Sequence, residues 1–293
     1  MLHTFSPLYA PDLPPVFAAM NRAGSVGKTT IGWNLCVQAA RRGYKVLFVD
    51  ADLQSDASYW SGWDGDELPK GVVTVHKVML GQAKMEEAIV PARTRIRQGD
   101  GPNAFKIIDG LDLVRGDEKM SQADIELAQD PKGVFWLQRS LRRYITKGQY
   151  DFVWIDCPAS LSLLSISILI ASTNIFVCTK PGRKELRGAK SLLRRIKDVR
   201  DEYEDFGAMP LATWFAMNET KASNSQGQFY LERQREGREV YGDRMLNMLK
   251  ATTAVAEAYD AQEPLAFWVP KHEATLTIDS MLTQMGFTDR RAA

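Results

Sequence analysis

The decapeptide "NRAGSVGKTT", Asn21 to Thr30, follows the apolar run "PVFAAM" (Pro15–Met20) and precedes a segment in which Ile31, Leu35 and Ala39 recur at helical spacing. Gly43 stops that helix, and "YKVLFVDAD" (Tyr44–Asp52) returns as a second apolar strand. Strand, glycine-containing loop, helix and strand make a βαβ unit, which has parallel strands and a right-handed crossover. The loop closes on Gly27-Lys28-Thr29, the end of the phosphate-binding pattern G-x-x-x-x-G-K-[ST], yet Arg22 stands where the pattern's first glycine belongs. Gly24 and Gly27 let backbone N–H groups curl around phosphate oxygens, and the helix start turns its positive end to the same anion. Gly24, Ser25, Val26, Gly27, Lys28, Thr29 and Thr30 are therefore the expected nucleotide contacts. Lys28 would reach the β/γ-phosphates, and the Thr29 hydroxyl would ligate Mg²⁺.

The alternation continues along the chain. "YDFVWIDCP" (Tyr150–Pro158), "TNIFVCTKP" (Thr173–Pro181) and "LATWFAMNE" (Leu211–Glu219) read as strands. "AFKIIDGLDLVRGD" (Ala104–Asp117) reads as two short strands around Gly110, and "PLAFWVP" (Pro264–Pro270) as a last strand. Helices are expected over Asp130–Lys147, Glu185–Asp201, most of Gln226–Lys250, and Ala274–Met285, with a turn at Gln98–Asn103. The pattern predicts one doubly wound α/β domain of P-loop NTPase type, residues 15–293, mostly parallel, with ligands at the strand C-termini. A Pro-rich extension, residues 1–14, precedes it.

Composition narrows the function. A net charge of +1 over 293 residues confines any nucleic-acid surface to a local patch. Cys36, Cys157 and Cys178 lack C-x-x-C spacing, which argues against a zinc or redox pair and favours a reducing cytoplasm. The N-terminus lacks a basic start followed by an apolar core, so no signal peptide is expected. Ser162, Ser165, Ser167, Ser172, Thr173 and Asn174 interrupt the apolar stretch Leu161–Cys178, which reads as a buried helix, turn and strand instead of a membrane span.

Three acids stand at strand ends. Asp156 is placed to hold Mg²⁺ through water, with Asp50 supporting that shell. Asp52 is placed to position an attacking water. Each could instead cap the helix that follows.

In this order, "NRAGSVGKTT", "VLFVDADLQSDAS", "YDFVWIDCPASLSLLS", "CTKPGRKELRGAKSLL" and "AVAEAYDAQEPL" resemble the successive signatures of the ParA/MinD group of deviant Walker A ATPases. The ParA branch, which partitions plasmids and chromosomes, is the nearest in pattern. The resemblance implies ATP and Mg²⁺ as cofactors, an ATP-dependent sandwich homodimer, non-specific DNA binding, a ParB-like or other adaptor that stimulates slow hydrolysis, and a cytoplasmic, nucleoid-associated location. It accounts for Arg22, because the family loop reads K-G-G-x-G-K-[ST]. It also exposes a departure: the signature lysine falls on Ala23 and the second glycine on Ser25. That lysine reaches a partner's phosphates across the dimer, which alanine cannot do. Lys180 or Lys184, after a strand C-terminus, is the expected substitute cation; the alternative is that their cluster is a solvated or DNA-facing surface. A ParA-like branch that spaces carboxysomes also lacks the lysine, so positioning of a protein cargo is the second reading.

By the same resemblance Asn218, in "WFAMNET", lies near adenine, as does the stretch Leu249–Ala251, although its I-P-R pattern is lost. For DNA, Arg233, Arg235, Arg238, Arg244 and Lys250 crowd one region, and Lys190, Arg194, Arg195, Lys197 and Arg200 add to them. Such side chains contact phosphates without reading sequence. The C-terminal segment Thr277–Ala293 lacks the basic polar face of a membrane-targeting helix. Paired cysteine ligands for an iron–sulfur cluster are missing. Two other classes stay open: a nucleotide-gated DNA scaffold with little turnover, and a metabolic P-loop ligase or transferase.

Overall fold

The computed structural model describes residues 13–64, 68–96, 104–220 and 228–291. Most of the expected extension, and the turn at Gln98–Asn103, lie outside these residues.

The chain opens with β1 (Val16–Met20), α1 (Lys28–Arg41), β2 (Val46–Asp50) and the short helix α2 (Asp56–Trp60). Helices α3 (Val75–Met79) and α4 (Met85–Ala88) lead into β3 (Ile89–Arg95) and β4 (Phe105–Val114). Next come α5 (Ala123–Gln129), α6 (Trp136–Tyr144), β5 (Phe152–Asp156), α7 (Leu163–Ala171), β6 (Asn174–Thr179) and α8 (Arg183–Tyr203). The last part holds β7 (Leu211–Met217), α9 (Gln228–Tyr241), α10 (Ala254–Asp260), α11 (Leu265–Trp268) and α12 (Glu273–Gln284).

Among the described residues, seven strands form one sheet in the order β3-β4-β2-β5-β1-β6-β7. All neighbours run parallel except β3 on β4. The strands β1, β2, β5 and β6 are buried at every residue. Helices cover both of their faces, which is why they read as unbroken apolar runs. Alternation within β1 splits the core: Phe17 and Ala19 face α1, α2 and α10 to α12, while Val16, Ala18 and Met20 face α3 and α5 to α9. The order places the C-terminal ends of β1, β2 and β5 side by side at the middle of one edge, with Asp50 paired to Asp156 in register. The mostly parallel, helix-flanked sheet is the fold that the alternation predicts.

Two local expectations are overturned, one strand is missed and one helix is shortened. The two strands around Gly110 are one continuous strand, β4, in which Gly110 sits at φ +83°. Its partner β3 is a strand the sequence pattern misses, because Pro91 and two arginines break its apolar character. "PLAFWVP" is the helix α11, not a strand. There the Leu265 N–H is satisfied by the Asn34 side chain (2.8 Å) and the Phe267 and Trp268 N–H groups turn back to the Pro264 carbonyl, so no sheet neighbour is needed. The expected helix over Gln226–Lys250 is also shorter. It ends at Tyr241, and Met245 and Lys250 bridge back to Phe215 and Thr220.

Arg42 caps the far end of α1 and is 8% exposed. Its guanidinium donates to the Asp279 carboxylate (3.0 Å), the Asp279 carbonyl (2.7 Å), the Thr283 hydroxyl (3.0 Å) and the Phe287 carbonyl. The C-terminal segment therefore clasps the helix that carries the phosphate loop.

Candidate nucleotide site

The loop between β1 and α1 is built from below by a side chain that the motif does not include. Asn21 is 2% exposed at the end of β1. Its amide donates to the Cys178 carbonyl (2.6 Å) and the Glu185 carbonyl (3.3 Å), and its oxygen accepts from the Ala23 N–H (3.0 Å). This ties the loop to β6 and to the first turn of α8. The Ala23 side chain consequently packs into the core, while Arg22 is exposed.

Two residues then take left-handed backbone. Gly27 does so at φ +87°, and Ser25 does so at φ +54° although it carries a Cβ. A left-handed conformation costs an L-residue about 1–2 kcal/mol, so Ser25 adopts at a cost the geometry a glycine takes freely. Gly27 is doubly constrained, since a Cβ there would lie 2.8 Å from Asn218 Cγ and closer still to the amide nitrogen. Asn218 is thus placed on the phosphate loop itself, its own N–H held by the Thr179 carbonyl (2.8 Å).

Beneath the loop, the Thr29 hydroxyl donates to Asp156 Oδ2 at 2.5 Å. The other oxygen, Asp156 Oδ1, is buried with no hydrogen-bond partner, as is Asp50 Oδ1. Burial, reinforced by the charges of Asp52 and Asp50, pushes the Asp156 carboxyl well above its usual range, against the opposing pull of Lys28 and the Thr29 hydroxyl. Asp50 is fully buried and does not border the cavity; its Oδ2 accepts from the Ser58 N–H (2.7 Å) and hydroxyl (2.6 Å). Burial raises Asp50 to about 7 despite those bonds. Burial also raises Asp52, with Lys28 opposing. Acids crowded in this way around one buried lysine form a site short of positive charge.

The phosphate loop and Asp52 open onto one cavity of about 880 Å³. The phosphate loop from Gly24 to Thr30 forms its floor, Asp52 to Gln54 and Pro158 to Ser160 form two sides, and Asn218, Glu219, the stretch Lys250–Thr252 and α10 form the far wall.

The remaining expected residues are more dispersed. Lys180 pairs with Glu219 at 2.6 Å, at the rim of the cavity, and Lys184 is exposed on the first turn of α8. Arg235 and Arg238 are exposed on α9, and Arg233 is engaged by Glu236. Arg244 lies over the Phe215 ring, and Lys250 pairs with Glu273 on the cavity wall, so the five do not form one continuous face. Along α8, by contrast, Arg183, Arg187, Lys190, Arg194 and Lys197 are all exposed at alternating spacings of four and three, a single helical stripe.

Asn21, Ser58, Asp56 and Tyr259 join the site without having been expected there. Asp56 had a signal, the density of acids in "DADLQSD". Tyr259 had none, since it reaches Asp56 from 203 positions away.

A family profile described as an AAA domain matches residues 15–206. The chain is 31% identical over 185 residues to the chromosome partitioning protein ParA of Caulobacter vibrioides, a match spanning 63% of each chain. Its fold is similar to that of apo McdA from Cyanothece, with a TM-score of 0.74 at 18% identity over 93% of this chain and 99% of that one. It is similar also to the cell division ATPase MinD of Pyrococcus furiosus, with a TM-score of 0.67 at 22% identity over 94% and 99%. At these identities the two structures bear on the fold.

Proposed function

This chain belongs to the ParA/MinD family of P-loop ATPases, and we propose that within it the protein works as a partitioning switch. It binds ATP with Mg²⁺, closes as a homodimer, holds DNA non-specifically and is released when an adaptor stimulates slow hydrolysis. The observation that carries this reading is the Thr29–Asp156 pair under a phosphate loop whose lysine is buried at the cavity floor. The donor set fits Mg²⁺: a hydroxyl, an unpartnered buried carboxylate oxygen beside it, and acids that lack compensating charge. Thr29, and Asp156 through water, would hold the ion, which would offset the negative charge of the phosphates. Lys28 and the loop N–H groups orient the phosphates, and Asp52 holds the attacking water. Asn218 and the stretch Leu249–Ala251 embrace the base.

DNA contact is assigned to the α8 stripe together with Arg235 and Arg238 of α9, through phosphates and without base readout. With Ala23 turned into the core, Lys184, or Lys180 once it leaves Glu219, supplies the cation that crosses the dimer. A second reading, positioning of a protein cargo, is favoured by Ala23 itself, the departure from the partitioning pattern.

Phosphate release and light-scattering mass, measured with and without ATP, test this directly. Lys28→Ala should abolish ATP binding, and Asp156→Asn should keep binding but lose turnover. Hydrolysis by Lys28→Ala at the parent rate would sink the reading. Lys180→Ala and Lys184→Ala are read by dimer mass and rate; parental values in both discard the cation assignment. DNA affinity that ignores salt would remove the DNA arm and leave the cargo reading.

A further inference from the structure

The far wall of the cavity and the segment that carries Asp52 are physically joined. The Tyr259 hydroxyl, on α10, donates to Asp56 Oδ1 at 2.7 Å. Asp56 is the first residue of α2 and ends the loop that begins at Asp52. Tyr259 and Asp56 both border the cavity. Around that bond the ring of Tyr259 packs on Tyr59 (5.0 Å between centroids) and edge-on to Trp60 (5.5 Å). Gln262, just beyond α10, donates to the Tyr59 carbonyl (2.8 Å).

The loop itself is lightly held. Asp52 Oδ1 accepts from the Gln54 N–H at 3.2 Å and the Asp52 carbonyl from the Ser55 N–H at 3.1 Å, both bonds internal to the loop. Leu53 is 43% exposed and Gln54 is exposed. Ser55, at φ +52°, turns the chain sharply into α2. The downstream end of α2 is fixed separately, with Arg93 donating to the Ser61 carbonyl (3.0 Å) and to the Gly62 carbonyl. Among the described residues, the side chains of the upstream part make two ties, Ser58 to Asp50 and the Gly116 N–H, and Asp56 to Tyr259. Of these, only the second begins on a wall that a ligand in the cavity would touch.

We propose that Tyr259 is a positioning residue for hydrolysis: its hydroxyl on Asp56 relays the seating of a nucleotide against α10 into the placement of Asp52. The inference rests on the ATPase reading above. Tyr259 touches no reacting atom. It acts through Asp56 and the three loop residues between Asp56 and Asp52.

Tyr259→Phe keeps the ring and its packing and removes only the hydroxyl. It should lower kcat about tenfold, less than the roughly hundredfold that a full 1 Å misplacement can cost, while KM stays within about twofold. Asp56→Asn retains an acceptor for the hydroxyl and should keep most of the rate. Asp56→Ala should behave like Tyr259→Phe, and the double variant Tyr259→Phe/Asp56→Ala should be no slower than either single one. Hydrogen exchange supplies a readout independent of turnover. In the nucleotide-free chain, Tyr259→Phe should speed exchange over residues 52–58. With ATP, parent and variant should both gain protection over residues 250–256, but only the parent over 52–58.

An unchanged kcat, a loss confined to KM, or equal exchange over 52–58 in the free parent and variant would overturn the relay. A parent that gains no protection over 250–256 with ATP would instead defeat the nucleotide reading, and the free-chain exchange would still decide whether Tyr259 holds the loop.

Discussion

Gly27→Ala tests the geometry of the phosphate loop most sharply. Position 27 has φ +87°, and an added Cβ would overlap the Asn218 amide. Two separable costs follow. Left-handed backbone at an alanine costs about 1–2 kcal/mol. Forcing a 7% exposed Asn218 out of its seat costs roughly 1–3 kcal/mol more, as in other overpacked sites. The single variant should therefore lose about 2–5 kcal/mol. Asn218→Ala should cost little alone, because the main-chain bond from residue 218 to the Thr179 carbonyl survives. In the Asn218→Ala background the amide overlap is gone, and the backbone cost remains together with a slight crowding against the Cβ of residue 218 at 3.2 Å. A double-mutant cycle should then show a coupling of about 1–3 kcal/mol. Urea unfolding with a constant m-value measures all four corners. A Gly27→Ala loss under about 0.5 kcal/mol, or strict additivity with Asn218→Ala, would refute the overlap.

Ser25→Gly should stabilise the nucleotide-free chain by about 0.5–1 kcal/mol, the relief of left-handed strain less the extra freedom of glycine in the unfolded chain; thermal unfolding reads it, and a loss would contradict the φ of +54°. Asp50 gives a pH dependence. Its carboxyl lies near 7 in the folded chain against an ordinary 3.8, so the folded state holds the proton more tightly than the unfolded state. Stability is then fullest below about pH 4 and falls as pH rises to about 7, by at most about 4 kcal/mol at 1.36 kcal/mol per unit. Asp50→Asn still accepts from Ser58 and should flatten that decline in Mg²⁺-free buffer, matching the parent near pH 4 and exceeding it at pH 8. Parallel stability curves for the two chains would remove the burial argument.

The parallel core was legible because doubly covered strands must be apolar at every position, and "VFAAM", "VLFVD", "FVWID" and "NIFVCT" are so or nearly so. The edge was not legible. β3 carries Pro91 and arginines because only one side of it pairs, and its register slips between Pro91 and Arg93. "PLAFWVP" misled because apolar composition does not separate a strand from one turn of helix. The deciding fact was a side chain, Asn34, 231 positions away. At the site, Lys28 and Thr29 were readable because their spacing after the loop glycines follows from phosphate geometry, and Asp156 because it is the acid that ends an apolar strand. Asn21, Ser58 and Tyr259 were not, since each acts through a partner that the fold alone brings near. Lys250 shows the converse: clustered with arginines in sequence, it lies on the cavity wall in space.

The clasp on Arg42 gives α1 the mechanics of a lever. The helix has 14 residues, a length of about 21 Å at 1.5 Å per residue. One end is pinned by four acceptors from α12 and the segment after it, and the other end presents Lys28 and Thr29. Its bearing lies near the free end, where Gly32 rests against the indole nitrogen of Trp154, two residues before Asp156. Pivoting about the pinned end, a tilt of about 3° over that length would carry the phosphate end by about 1 Å. The same tilt would press on the strand that holds the acid opposite Thr29. Bulk added at position 32 would raise the phosphate end and leave the pinned end where it is.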